Sequence, residues 1–206
     1  MKKHEDRRLL LVNIIYVVAL VVVVFPLLWN SQYNVPSADD WSYGKNAYKA
    51  LQEGAGLIRV LQISGETVLR HYSSWEGRFM NAFLASLQPG IWGERWYAVV
   101  AWLMIGGLSL GECFFVQELF RDDKCRGRLL WVPVILPSLT LQILYTPNTV
   151  EGFYWYTGAV NYTFIFGVSM AYAALILRLG KDSCKGVGRV LVGTAAVILA
   201  VMTGGD

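Results

Sequence analysis

The chain has 206 residues, of which 55% are hydrophobic and 14% aromatic, with eight Trp and a formal net charge of +3. That apolar share, with a mean hydropathy of +0.41, argues against an ordinary soluble domain and for a bilayer protein. So small a net charge gives no basis for a nucleic-acid partner; in a membrane chain the side on which charges fall matters more than their sum.

Taken in order, residues 1–8 carry Lys2, Lys3, Arg7 and Arg8 against Glu5 and Asp6, which predicts a cytoplasmic N-terminus. Residues 9–29 follow without a charge, and at ~1.5 Å per residue they span roughly 30 Å of hydrocarbon. Pro26-Leu27-Leu28-Trp29 offers no small-residue cleavage site, so this first span reads as a retained anchor.

Residues 30–95 form a large extracytoplasmic loop with two helical patterns. The first opens at Ser37 as N-cap with Asp40 three residues on, a capping-box arrangement, and closes at Gly54 with Trp41, Tyr48 and Leu51 on one face. The second runs from about Ser64 to Leu87, with Val68, Tyr72, Trp75, Phe79, Phe83 and Leu87 at three- and four-residue steps and Gly77 as a point of breakage. Such a stripe needs either the membrane surface or the transmembrane bundle to lie against.

A second span is expected over 96–120, a basic cytoplasmic loop over 121–128, and a third span over 129–145 bent by Pro133 and Pro137. The outer loop 146–158 holds Phe153, Tyr154, Trp155 and Tyr156 in succession, and a fourth span follows over 159–177. Residues 178–189 form another basic cytoplasmic loop before a fifth span over 190–206, whose short exit reads as the N-terminal piece of a longer protein. The expected fold is an all-α polytopic transmembrane helix bundle with interfacial helices in its large first loop. Cys113 falls in a span, and Cys125 and Cys184 in loops whose cytoplasmic placement keeps thiols reduced; their spacing does not suit zinc.

Asp39 and Asp40 are the first candidates for chemistry. A carboxylate at the outer surface can act as general base on an incoming hydroxyl, or a pair can hold a divalent metal such as Mg²⁺ or Mn²⁺. Equally, acidic side chains are favoured in the first turn of any helix by its dipole. Glu76 and Arg78, flanking Gly77, could meet a lipid-linked phosphate through a bidentate guanidinium, or could form the wet face of an interfacial helix. Glu151, Trp155, Tyr156 and Asn161 lie in the densest aromatic stretch, which suits an interfacial belt and also stacking on a sugar. The sequon at Asn161 sits at the mouth of a span, which argues against glycosylation there. Glu112, inside the second span, is an intramembrane acid and so a candidate for a proton or cation path. His71 could join the two aspartates at a metal but suits plain packing better.

Three stretches, ADDWSYG at 38–44, WEGRF at 75–79 and YWYTGAVNYTF at 154–164, carry a resemblance. With a single anchored span followed by an acidic pair in a large first outer loop, the chain resembles the start of GT-C type membrane glycosyltransferases. Its motifs look like those of a bacterial polytopic family of uncharacterised function associated with that superfamily. The resemblance implies transfer of a sugar from a polyprenyl-phosphate donor to a glycan or lipid acceptor at the outer face, usually with inversion. It maps the acidic base or metal ligand onto Asp39 or Asp40, with Arg78 as the phosphate contact. The chain departs from the pattern in having five spans at most, fewer than such enzymes carry. Two other classes stay open: a transporter or channel that depends on Glu112, and a non-catalytic membrane scaffold.

Overall fold

Apolar runs separated by short polar breaks become helices, because lipid offers backbone groups no hydrogen bonds and a helix satisfies them within the segment. A computed structural model describes residues 2–74, 77–121, 131–181 and 184–205, and among these every regular element is helical. Trp75, Glu76, Cys125 and the loop beyond Arg121 lie outside the described residues.

Helix α1 (Lys2–Asn30) and its continuation give an apolar segment, Arg7–Tyr33, with nothing in its most hydropathic window buried by the rest of the chain. Only one edge of it meets protein: Leu20, Val23, Val24, Leu27 and Leu28 pack on the central cluster. A 3₁₀ segment, Glu94–Val99, leads into α5 (Val100–Leu119), and the two form a 26-residue apolar unit. Helix α6 (Val132–Leu144) has 13 residues, with Pro133 in its first turn and Pro137 in its interior. Short α7 (Tyr156–Ala159), a π-helical segment Val160–Phe164 and α8 (Ile165–Leu179) make a 24-residue unit. Helix α9 (Gly186–Gly204) adds 19 more. Four helical units are therefore long and apolar enough to cross a membrane. The third expected span, 129–145, starts outside the described residues, and its described helix is shorter than the other four.

Helix α5 is the axis of the core. Val100, Ala101, Met104, Ile105, Leu108 and Val116 are buried against Ile135, Leu139 and Ile143 of α6 and against Phe153, Tyr156, Ala159 and Val160. Its contact with α8 is made by glycine. A Cβ on Gly111 would lie 2.0 Å from the Gly167 carbonyl oxygen, and one on Gly167 would lie 2.6 Å from that of Gly107. Between helices bathed in lipid, with no hydrophobic gain from association, such backbone approach supplies the dispersion contact that holds them.

A second layer caps one end of these helices: α2 (Asp39–Gln52), α3 (Leu57–Ser74), α4 (Phe79–Ser86) and a 3₁₀ turn, Pro89–Trp92. Here the sequence reading needs correction. Of the residues expected on one face of α2, Trp41 and Tyr48 are 45% and 38% exposed while Leu51 packs on a core cluster, and Asp40, Tyr43, Gly44 and Ala47 turn inward. Small residues permit the approach: a Cβ on Gly44 would sit 2.9 Å from Gln88 Nε2 and 3.1 Å from Ile91 Cγ2. The stripe expected from about Ser64 to Leu87 is broken around Gly77, as that glycine suggested, into two helices, and the first opens seven residues earlier than expected. Val60, Ile63, Ser64 and Thr67 form the buried face of α3, and Ile58, Leu69 and Tyr72 are exposed. The far end of α9 meets this layer, where Met80 N donates to the Gly205 carbonyl at 2.8 Å.

Candidate functional site

The acidic pair divides its labour according to helical geometry. Neighbouring residues on a helix point about 100° apart, so when one faces the bundle the next faces out. Asp40 has no exposed surface, and Asp39 is exposed. The carboxylate of Asp40 accepts from four donors. Thr157 supplies two, its backbone N–H at 3.0 Å and its hydroxyl at 2.7 Å, both to Oδ1. The Ser37 N–H donates to Oδ2 at 3.1 Å, and the Tyr97 hydroxyl donates to the same oxygen. The Tyr97 oxygen in turn accepts from the Tyr156 N–H at 2.8 Å. A buried acid is tolerated when its lone pairs are filled, and here they are filled by groups 57 and 117 residues away in sequence.

The expected capping box is half present. Asp40 accepts from the Ser37 N–H, but α2 starts at Asp39 with Ala38 as its cap, and no side-chain hydroxyl caps it. Ser37 to Asp40 instead form a tight turn closed by Asp40 N to Ser37 O at 3.1 Å. Ala38 occupies its first central position at φ 46°, ψ −122°, the type II′ corner that glycine normally takes. It is the one non-glycine residue at positive φ among the described residues. Strain of this kind, on the order of 1–3 kcal/mol, persists only where surrounding bonds over-determine the backbone. The cage around Asp40 does so.

The other described site residues, Arg78, Glu151, Trp155, Tyr156 and Asn161, lie toward the same end of the bundle. Glu151 is half-buried in a π-helical turn, Val150–Tyr154, just before Trp155. Trp155 is half-buried, and its indole Nε1 is enclosed with no hydrogen-bond partner. Tyr156 is buried beside the Asp40 cage. Asn161, half-buried, is hydrogen-bonded by the side chain of buried Asn81 of α4. Arg78 is exposed at the head of α4, three residues before Asn81. Glu76 falls outside the described residues. A further tie runs from Asn34 Nδ2 to the Tyr154 carbonyl at 2.7 Å, and the Tyr154 hydroxyl donates to Leu27 O at 2.9 Å. Burial pushes the Tyr154 phenol above its ordinary range, so it stays a donor.

His71 stacks on Tyr43, with ring centroids 4.5 Å apart, rather than approaching the aspartates. Among the described residues no three His, Cys, Asp or Glu side chains gather as a metal cage. Both Asp40 oxygens, expected with Asp39 as metal ligands, are engaged by protein donors. Glu112 is 2% exposed inside the bundle and accepts from Gln142 Nε2 at 2.8 Å, which also reaches Ser138 Oγ at 3.0 Å. This joins α5 to α6 as an interhelical polar tie.

Tyr97, Thr157 and Asn81 are the site residues that motif reading missed. Thr157 lay inside the aromatic motif but looked like a small residue between Tyr156 and Gly158. Tyr97 carried only the signal of an interfacial aromatic. Comparison with protein-family models, with curated proteins and with solved structures finds no match.

Proposed function

We propose that the chain is a GT-C-like membrane glycosyltransferase component that moves a sugar from a polyprenyl-phosphate donor to a glycan or lipid acceptor at the membrane face on which α2, α3 and α4 lie. The observation that carries this reading is the junction of the three motif stretches at one end of the bundle. The acidic turn is tied to Thr157 through Asp40, and α4, headed by Arg78, is tied to Asn161 through Asn81. Stretches far apart in sequence thus meet at one end of the bundle, where Asp39 and Arg78 are each exposed and Trp155 is half-buried.

In this mechanism Asp39 is the general base, since it reaches solvent while its neighbour is occupied. Asp40 is a positioning residue: it fixes the turn from which Asp39 projects. The acceptor hydroxyl loses its proton to Asp39 as its oxygen attacks the anomeric carbon. The bond to the donor phosphate breaks, and the phosphate leaves with the electron pair, its charge met by Arg78. Half-buried Trp155 supplies an apolar ring face against which a sugar can lie, its unpartnered indole N–H is a donor in reserve, and buried Tyr156 supports it from below. The exposed apolar stripe of Ile58, Leu69 and Tyr72 suits α3 to the lipid–water boundary, the depth at which a prenyl-linked phosphate presents its head.

The test is transfer of radiolabelled sugar in membranes that express the full-length protein as wild type, Asp39→Asn or Asp40→Asn. Asp39→Asn is expected to lower transfer by about 10²-fold or more with unchanged thermal stability, as the loss of a general base does. Undiminished transfer in that variant would end the proposal. Asp40→Asn is expected to lower transfer and stability together.

A further inference from the structure

At the opposite end of α5 lies a cavity of about 390 Å³, lined by Phe114, Gln117, Glu118, Phe120, Arg121, Trp131 and Arg178. Its chemistry differs from that of the Asp40 cluster. Glu118, 6% exposed, accepts from Arg121 Nη1 at 2.8 and 3.1 Å, and Arg178 Nη1 stands 3.7 Å from the same carboxylate. Lys181 Nζ donates to the backbone carbonyl of Glu118 at 2.6 Å. Among the described residues, two guanidiniums from different segments therefore face a single carboxylate, and Lys181 stands at its backbone. Arg121 spends one guanidinium nitrogen on Glu118, while the 3.7 Å separation of Arg178 is an ion pair without a hydrogen bond. Both guanidiniums keep N–H donors for another acceptor.

We infer that this cavity is a headgroup site for an anionic phospholipid, whose phosphate is held by Arg121 and Arg178 while its glycerol and upper chains lie against Phe114, Phe120 and Trp131. Three features favour a lipid over a free anion. The cations stand at the ends of the apolar segments that α5 and α8 contribute, the depth at which headgroups lie. Trp131 caps the start of α6, where an amphipathic ring sits at the membrane interface. Phe114, Phe120 and Trp131 give the wall an apolar side, which a small hydrated anion would not use. Glu118 acts as a positioning residue, since it aligns guanidiniums from two helices on one opening.

The inference is independent of the glycosyltransferase reading and is tested without any transfer assay. The intact protein is purified in mild detergent and titrated with phosphatidylglycerol, phosphatidylcholine or inorganic phosphate, with bound species counted by native mass spectrometry. Wild type should bind phosphatidylglycerol roughly tenfold more tightly than phosphatidylcholine, and inorganic phosphate at equal concentration should not displace it. Arg178→Gln and Arg121→Gln should each weaken phosphatidylglycerol binding about fivefold, the factor that ~1 kcal/mol per cation near an anionic surface represents. Arg59→Gln, in the α3 layer at the other end, should leave it unchanged; Arg59 is exposed there in a pair with Glu66. Circular dichroism confirms that each variant is folded. Equal binding of the two lipids, a preference that survives the Arg121→Gln, Arg178→Gln double variant, or displacement by inorganic phosphate overturns the proposal.

Discussion

Asp40 and Glu118 sit near opposite ends of one helical unit, both buried, and are satisfied in different ways. Asp40 is surrounded by neutral donors, two of them backbone N–H groups, and its bonds join the first loop to Tyr97 and Thr157. Glu118 faces cations that are themselves partly in solvent: Arg121, hydrogen-bonded to it, at 26% exposure and Arg178, an ion-pair partner, at 38%. Neutral donors in a closed pocket define a shape, because each has one direction and no substitute in water. Partly exposed cations at a rim define a potential, because they can share their charge with a newcomer. The first arrangement suits the positioning of an adjacent reactive group, and the second suits the capture of an anion.

The comparison predicts unequal costs when each acid is removed. Asp40→Ala leaves four donors without an acceptor in a sealed pocket and is expected to destabilise the fold by about 4 kcal/mol, seen as a large drop in the thermal midpoint in detergent. A drop no larger than that of an exposed alanine variant would break the contrast. Gly111→Ala tests whether the two ends depend on a common seam. The added methyl meets the Gly167 backbone, which a rotamer change cannot relieve, and a cost of about 3 kcal/mol is expected, with Asp40 and Glu118 losing their partners together. Retained α5–α8 cross-linking through engineered cysteine pairs, at unchanged efficiency, would count against it. Glu118→Gln should be the mildest, at about 1 kcal/mol in low salt and less at 1 M salt, since partly exposed ion pairs are weak and screened. A cost as large as that of Asp40→Ala, unaffected by salt, would show that Glu118 is a closed structural acid of the same kind.

The long helices were legible in the sequence because lipid imposes a length and a hydropathy that few other environments demand. The inner face of α2 was not, because its buried positions are Asp40, Tyr43, Gly44 and Ala47, a set with little hydrophobic signal. Its larger Trp41 and Tyr48 drew the eye to the exposed side. The glycine seam was readable in principle, since Gly107 and Gly111 stand four apart in an apolar segment, the small-residue spacing that lets two membrane helices touch. The Asp40 cage was out of reach for a different reason. Its partners come from segments whose proximity depends on how the helices pack, and no local pattern marks Tyr97 or Thr157 as donors to a distant carboxylate. The pairing of Asn81 with Asn161 is hidden in the same way. The acidic pair itself stood out, but not the division between its members, which follows from which side of the first turn meets the bundle.

The unusual corner at Ala38 has a consequence for how the neighbouring acid is aimed. An alanine held there is a sprung latch, closed only while the carboxylate two residues on is gripped. Loosening any one of the four grips lets the torsion relax toward ordinary values and swings Asp39 off its bearing. The aim of the exposed carboxylate is thus governed by Thr157 and Tyr97, residues on the far side of the junction.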